Sequence, residues 1–90
     1  MALKITHRSL FTRHYLIVYP DGVKFYDGAG FSSAKRFPFN WIECVLMSPD
    51  HKLSFQVGKE VFSIPTKPGN ARHQEVIDKL LQEVQRTAAG

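Results

Sequence analysis

The sequence predicts a mainly β domain in which seven antiparallel strands form a partly open barrel or sandwich, capped by one C-terminal amphipathic helix. The first observation is a series of short apolar, β-branched and aromatic runs separated by turn-forming residues. These runs lie at 3–6, 14–19, 23–26, 34–37, 41–47, 52–57 and 60–64. The second observation is one helical pattern at 71–87, which follows the last run. A curled sheet leaves an apolar side open, and one amphipathic helix covers it.

Length and composition limit the chain to one small domain. Ninety residues bury about two-thirds of their unfolded surface, so we assign 1–90 to a single domain with a frayed tail at 88–90. No apolar stretch approaches the roughly 20 residues of a membrane span, and the N-terminus lacks the apolar segment of a signal peptide. Small secreted domains usually carry several cysteines, whereas this chain has only Cys44. We therefore expect a cytoplasmic protein.

Turn residues define the second and third strands. Pro20 presets its own φ, Asp21 bonds to nearby backbone, and Gly22 accepts backbone conformations that other residues avoid. Together they predict a tight hairpin between the runs at 14–19 and 23–26. A looser loop follows at 27–33, where two glycines and two serines disfavour regular structure.

The fourth strand ends at a proline and the fifth shows strict alternation. Pro38 cannot donate a ladder hydrogen bond, so we expect it at a strand end or edge. Over 41–47, alternation predicts that Ile42, Cys44 and Leu46 face the core together.

The last two strands form the best-defined hairpin. Gly58 and Lys59 make a two-residue loop of the type II′ kind, which requires glycine first. This loop fixes the register because a shift by one residue would scatter the apolar face. It places Val57 opposite Glu60, Phe55 opposite Phe62 and Leu53 opposite Ile64, and the last two pairs are predicted to point inward.

The C-terminal helix shows both a start signal and an apolar stripe. Asn70 is a good N-cap after Lys67-Pro68-Gly69. Helical spacing relates the residues of the stripe, which are Val76, Ile77, Leu80, Leu81 and Val84. The charged residues are expected largely off that stripe, in water: Glu75, Asp78, Lys79, Glu83 and Arg86.

The segment that leads into the fifth strand combines aromatic residues with a proline, and 37–45 reads FPFNWIECV. A polar turn and a hairpin follow, and the hairpin ends in 61–65, VFSIP. With seven strands followed by a helix, these segments resemble the pleckstrin-homology-like superfold, most closely its short GRAM and bacterial PH-type branches. The resemblance spans 3–87. It implies a partly open barrel used for phosphoinositide binding, protein binding or self-assembly, and rarely for catalysis.

Positive charge is concentrated in the first two-fifths of the chain. Residues 1–36 hold six basic and two acidic residues, an excess of four, whereas residues 37–90 hold six of each. A local positive field attracts phosphates, anionic lipid or acidic protein. The candidate residues for an anionic surface are Lys4, Arg8, Arg13 and Lys24.

The loop at 7–14 offers candidates for membrane insertion. Leu10 and Phe11 lie between the basic Arg8 and Arg13, so they either wedge into an interface or pack inward on a longer strand. Phosphoinositide-binding members of the superfold carry Lys on the first strand and a basic-x-Arg pattern on the second. Lys4 matches the first feature, but no Arg follows Arg13 at the required spacing.

Nothing in the sequence indicates catalysis, and we expect neither an enzyme nor a cofactor nor a metal. Cys44 alternates with aliphatic residues, which is typical of a small buried side chain. The histidines lack metal-ligand spacing, and they are His7, His14, His51 and His73. No glycine-rich phosphate loop or nucleophile motif occurs.

Three binding functions remain, none of which implies a small-molecule substrate. Protein interaction or self-association ranks first, because small barrels leave edge strands that pair with other chains. The fifth strand also carries apolar residues on both faces, with Trp41, Val45 and Met47 opposite the predicted core set. The alternative is peripheral binding to anionic phospholipid through the basic N-terminal loop. Weak single-stranded nucleic-acid binding ranks third, on the aromatic residues Tyr15, Tyr19, Phe25 and Tyr26.

Overall fold

The computed structural model describes residues 3–8, 13–26 and 34–89. The strands are β1 (Leu3–Arg8), β2 (Arg13–Val18), β3 (Gly22–Tyr26), β4 (Lys35–Pro38), β5 (Ile42–Met47), β6 (Lys52–Val57) and β7 (Glu60–Pro65). A short 3-10 turn, Phe39–Trp41, precedes β5, and the helix α1 spans Ala71–Ala89. The predicted order of seven strands and one helix is confirmed. The predicted loop at 27–33 lies outside the described residues.

The strands form two antiparallel sheets. One has four strands in the order β1-β2-β3-β4, and the other has three in the order β5-β6-β7. Within the described residues no strand pairs with both sheets, so neither sheet closes on itself. The predicted fold class, mainly β with one C-terminal helix, is confirmed. One core fills the space between the sheets and the helix, with Leu16, Phe55 and Leu80 among its fully buried side chains.

The β2–β3 hairpin turns where the sequence predicts it. The backbone N–H of Tyr19 donates to the carbonyl oxygen of Gly22 over 2.8 Å, and Val18 then pairs with Val23. Gly22 lies against β4, because a Cβ at this position would meet the carbonyl oxygen of Phe37. The glycine is therefore needed for the close approach of two neighbouring backbones. Pro38 ends β4, as its missing N–H requires.

The β6–β7 hairpin has the predicted register. Val57 pairs with Glu60, Phe55 with Phe62 and Leu53 with Ile64. Gly58 has φ of 61°, the conformation that the first position of a type II′ turn demands. The rings of Phe55 and Phe62 stack with centroids 5.3 Å apart, so the aromatic pair adds directly to the core.

The prediction that Cys44 and Leu46 point inward is wrong. Both side chains are exposed, Leu46 at 65%. The register between β5 and β6 shifts between Ile42 and Cys44, which is the signature of a β-bulge. One extra residue, Glu43, rotates the rest of β5 by one position, so Val45 packs against the core instead. Only Ile42, before the bulge, keeps its predicted inward position.

The helix α1 packs through the predicted stripe. Val76, Ile77 and Leu80 are buried, and Leu81 and Val84 pack against the same core. Its start is capped as predicted, because the backbone N–H of His73 donates to Oδ1 of Asn70 over 3.1 Å.

Glu83 departs from the expectation that the charged residues of α1 lie in water, because it is only 7% exposed. Its carboxylate accepts hydrogen bonds from Arg86 at 2.6 Å and Lys79 at 3.1 Å. These bonds hold the pKa of Glu83 below its ordinary value. The two cations shield the carboxylate and compensate for its removal from water.

His73 is a buried polar residue on the first turn of α1. Its Nδ1 accepts a hydrogen bond of 3.0 Å from the backbone N–H of Lys67, so the ring must be unprotonated at that nitrogen. Burial, and secondarily the charge of Lys67, lowers the pKa of His73 below its ordinary 6.5. The ring joins the loop before α1 to the helix itself.

Acidification should weaken the fold through His73. Because its folded pKa is lowered, the unfolded chain binds the proton more readily, and stability falls as pH drops from 6.5 through the lowered value. We expect His73→Gln, which keeps an acceptor but does not titrate, to flatten this part of the curve. The measurement is the urea-unfolding free energy of both proteins between pH 7.5 and pH 5, a window chosen to bracket the ordinary histidine pKa of about 6.5. Parallel curves would contradict the prediction.

Candidate functional site

The outer face of the four-stranded sheet is strongly basic. Directly opposite residues on antiparallel strands point to the same face. Lys4 pairs with Ile17, Ile17 with Lys24, and Lys24 with Arg36, so one row across four strands carries three cations. The sheet's other face is core, where Ile5, on β1 next to Lys4, is fully buried. We call this outer surface the basic face.

A second pair of cations lies at one end of the basic face. Arg8 of β1 pairs directly with Arg13 of β2, and both are exposed. Like charges directly opposite each other destabilise a sheet. A guanidinium is a planar fork of donors that suits phosphate and carboxylate oxygens, so a bound anion would relieve the repulsion.

Tyrosines occupy the middle of the basic face. Tyr15 and Tyr26 pair across β2 and β3, and their rings stack 5.2 Å apart at an angle of 21°. The ammonium of Lys4 lies 4.9 Å from the ring centroid of Tyr15. The guanidinium of Arg36 lies 4.6 Å from the ring centroid of Tyr19. These cation–π contacts hold two of the cations in place.

Little negative charge offsets these cations. In the described residues of β1 to β4 and their connections, Asp21 is the one carboxylate. It accepts a hydrogen bond of 3.1 Å from Arg36 in an exposed ion pair. Lys35 points away and pairs at 3.3 Å with Glu60 of the other sheet. Lys4, Arg8, Arg13 and Lys24 are therefore not neutralised by a neighbouring carboxylate within the described residues.

The structure brings together all four cations that the sequence analysis selected. Arg8 and Arg13 lie on strands, because β1 extends to Arg8 and β2 begins at Arg13. Leu10 and Phe11 lie outside the described residues, so the expected membrane tip stays a prediction. Arg36 was missed because its place beside Lys24 depends on the β3–β4 register. Tyr15 and Tyr26 were named only as candidates for nucleic-acid binding, and their place among the cations was not predicted because alternation alone does not say which face of β2 is core.

A second surface is apolar and lies on β5. Among the described residues the exposed large hydrophobic side chains are Trp41, Leu46, Met47 and Val61, three of them within or next to β5. Cys44 is exposed beside Leu46, and a shallow groove of about 70 Å³ runs from these two toward Val61. We call the run 44–47 the β5 edge.

The described part of the chain has clefts but no metal-ligand cluster. No group of three or more His, Cys, Asp or Glu side chains there is close enough to hold a metal ion. A cleft of about 400 Å³ is lined by residues that include Asp21 and Arg86. Both are already engaged, Asp21 with Arg36 and Arg86 with Glu83. No helix in the described ranges has the length and apolarity needed to cross a bilayer.

Comparison of the chain with protein-family models, with curated proteins and with solved structures gives no match.

Proposed function

We propose that this chain is a non-enzymatic binding module that attaches peripherally to anionic phospholipid through its basic face. The observation that carries the proposal is the gathering of five cations on one side of the four-stranded sheet: Lys4, Arg8, Arg13, Lys24 and Arg36. A basic residue near an anionic membrane contributes about 1 kcal/mol. Several basic residues act together only if their side chains face the same membrane surface, as the cations on one face of a sheet do.

The contacts of the candidate aromatic residues favour a lipid surface over single-stranded nucleic acid. Bases bind such proteins by stacking on free aromatic faces. Here Tyr15 is stacked against Tyr26 and contacted by Lys4, while Arg36 covers Tyr19. Phe25, the remaining aromatic candidate, is buried. The basic face therefore presents cations and phenol hydroxyls, which suit phosphate groups, rather than a platform for bases.

The pleckstrin-homology-like resemblance belongs to the same proposal. A sheet of four strands, a sheet of three and a C-terminal helix support that assignment. The resemblance also implies that the two sheets together form a partly open barrel. Residues 9–12 connect β1 to β2 in the sequence, between Arg8 and Arg13. A membrane-facing role for Leu10 and Phe11 would place both next to the paired arginines.

Charge reversal at the arginine pair tests this function. We expect the wild type to sediment with phosphatidylcholine vesicles that contain phosphatidylserine, and not with vesicles of phosphatidylcholine alone. The double substitution Arg8→Glu and Arg13→Glu should weaken that binding at least about thirtyfold, since two contributions of about 1 kcal/mol are lost and repulsion is added. Stability should hardly change, because one exposed like-charge pair replaces another.

The matched control reverses two exposed cations away from the basic face. Lys59→Glu with Arg72→Glu alters the net charge equally, so its binding should stay within a few-fold of wild type. Equal losses in both doubles would mean that only net charge matters and would overturn the assignment to this face. No binding at low salt, where screening is weakest, would overturn the lipid function itself. Tighter binding to a single-stranded oligonucleotide or an acidic peptide would overturn it as well.

Protein interaction or self-association, the first-ranked reading of the sequence, is supported by a different observation. Trp41, Leu46 and Met47 are each exposed, on or immediately before one edge strand. That surface is separate from the basic face.

A further inference from the structure

The β5 edge differs from the other sheet edges in the described part of the chain. The four-stranded sheet ends in β1, with Lys4 and Arg8, and in β4, with Lys35, Arg36 and Pro38. The three-stranded sheet ends in β7, which carries Glu60 and Pro65, and in β5. Charges and prolines on edge strands prevent pairing with other chains. In β5 the one charged residue is Glu43, at the bulge, and the run 44–47 beyond it has neither a charge nor a proline, since it reads CVLM.

The backbone of the β5 edge has groups available for another strand. The N–H of Ser48 donates to the carbonyl oxygen of Lys52 over 2.9 Å, which fixes the phase of the β5–β6 ladder. In an antiparallel pair, every second residue bonds to its partner strand and those between point outward. Leu46 and Cys44 alternate with Ser48 along β5, so, like Ser48, they direct their N–H and C=O groups to β6. Val45 and Met47 lie between them and direct theirs to the free side. The helix α1 approaches β5 but leaves Cys44, Leu46 and Met47 exposed.

Charge favours a second copy of this chain as the occupant of that edge. The whole chain carries +4, and its excess cations lie on the other sheet. The outer face of the three-stranded sheet is uncharged where it adjoins the β5 edge, with Cys44, Leu46, Ser54, Gln56 and Val61 lining its groove. Two positively charged copies therefore meet here with the least repulsion.

We propose that two copies of this chain pair their β5 edges antiparallel across a two-fold axis, which joins two three-stranded sheets into one continuous sheet. Such a contact is isologous, so Cys44 and Leu46 of one copy lie beside the same residues of the other. Val45 and Met47 supply the hydrogen bonds. Four residues a side bury less than the roughly 1,200 Å² of a stable interface, so the dimer is weak and depends on concentration.

Sedimentation equilibrium of the whole chain over a wide concentration range tests the dimer. We expect reversible monomer–dimer exchange in the wild type and at least about tenfold weaker association in Leu46→Lys, because an added lysine is the usual guard of an edge strand. Val61→Lys is the matched control, since Val61 is 64% exposed and Leu46 is 65% exposed, but Val61 lies on β7. It should dimerise nearly as the wild type does.

Amide hydrogen exchange at low and high protein concentration identifies the contact in the wild type. The amides of Val45 and Met47 should gain protection on association, and native Cys44 should react with thiol reagents more slowly in the dimer than in the monomer. A wild type that stays monomeric at the highest concentration overturns the proposal whatever the variants do. Equal loss of dimer in Leu46→Lys and Val61→Lys would also overturn it, in favour of face-to-face packing. None of these outcomes depends on lipid binding.

Discussion

Replacing Leu80 by alanine should lower the free energy of unfolding by about 2–5 kcal/mol, the usual cost of removing a buried leucine side chain. Leu80 is fully buried in the middle of the α1 stripe, between Val76 and Val84. A helix of this length gains most of its stability from packing rather than from its own propensity. Loss of the leucine therefore weakens the attachment of α1 to both sheets. Urea denaturation followed by far-ultraviolet circular dichroism measures the change.

The chain provides a control of identical chemistry. Leu46→Ala removes the same atoms from a side chain that is 65% exposed. We expect it to change the unfolding free energy by less than about 0.5 kcal/mol, as is usual for surface positions. Comparable losses at Leu80 and Leu46 would show that α1 is not packed as described, or that the bulge does not turn Leu46 outward.

Gly22→Ala should destabilise the chain by about 1–3 kcal/mol or more, as an overpacked site does. The added Cβ would lie 3.1 Å from both the carbonyl carbon of Phe37 and the Cα of Pro38, in addition to its contact with the carbonyl oxygen of Phe37. All three atoms belong to the backbone of β4 and cannot rotate away. The expected result is separation of β4 from β3, which amide exchange of Val23 and Phe37 would detect, because their N–H groups point between these two strands.

A second glycine separates crowding from backbone strain. Gly69 has φ of 80° and open space where a Cβ would lie. Gly69→Ala should therefore cost only the strain of a left-handed residue, about 1 kcal/mol, and should leave β4 protected. If Gly22→Ala proved no more harmful than Gly69→Ala, the close approach of β3 and β4 would be wrong.

Much of this fold is predictable because its signals are local. Turn chemistry at Gly22 and Gly58 and the helical spacing in α1 each act over a few residues, and the structure agrees with them. The bulge after Ile42 is different. It reverses the alternation that placed Cys44 and Leu46 in the core, and no residue type in the sequence announces it.

Buried polar groups escaped the sequence analysis for a related reason. Glu83 and His73 look like ordinary surface residues of a helix, and each is buried only because its partners come within reach once the chain folds. Arg86 and Lys79 neutralise Glu83, and the backbone of Lys67 satisfies His73. Such compensation depends on three-dimensional contacts, which periodicity does not record.

The candidate site was partly predictable. Charge counting limited the candidates to the basic residues of 1–36, and the expected nearness of the first loop and the first hairpin selected Lys4, Arg8, Arg13 and Lys24. Their shared face, and the addition of Arg36, depend on strand register across four strands. A count of cations predicts that the chain attracts anions. The strand register is needed to show which of these cations share one surface.

The position of Trp41 has a practical consequence for optical measurements. It is the single tryptophan of the chain, and it is 57% exposed immediately before β5. Unfolding moves its indole between two largely aqueous surroundings, so intrinsic emission is a poor reporter of denaturation here. Trp41 directly precedes β5, so a chain paired with that strand would change the surroundings of the indole. Its fluorescence should therefore report the proposed pairing of two copies better than it reports folding.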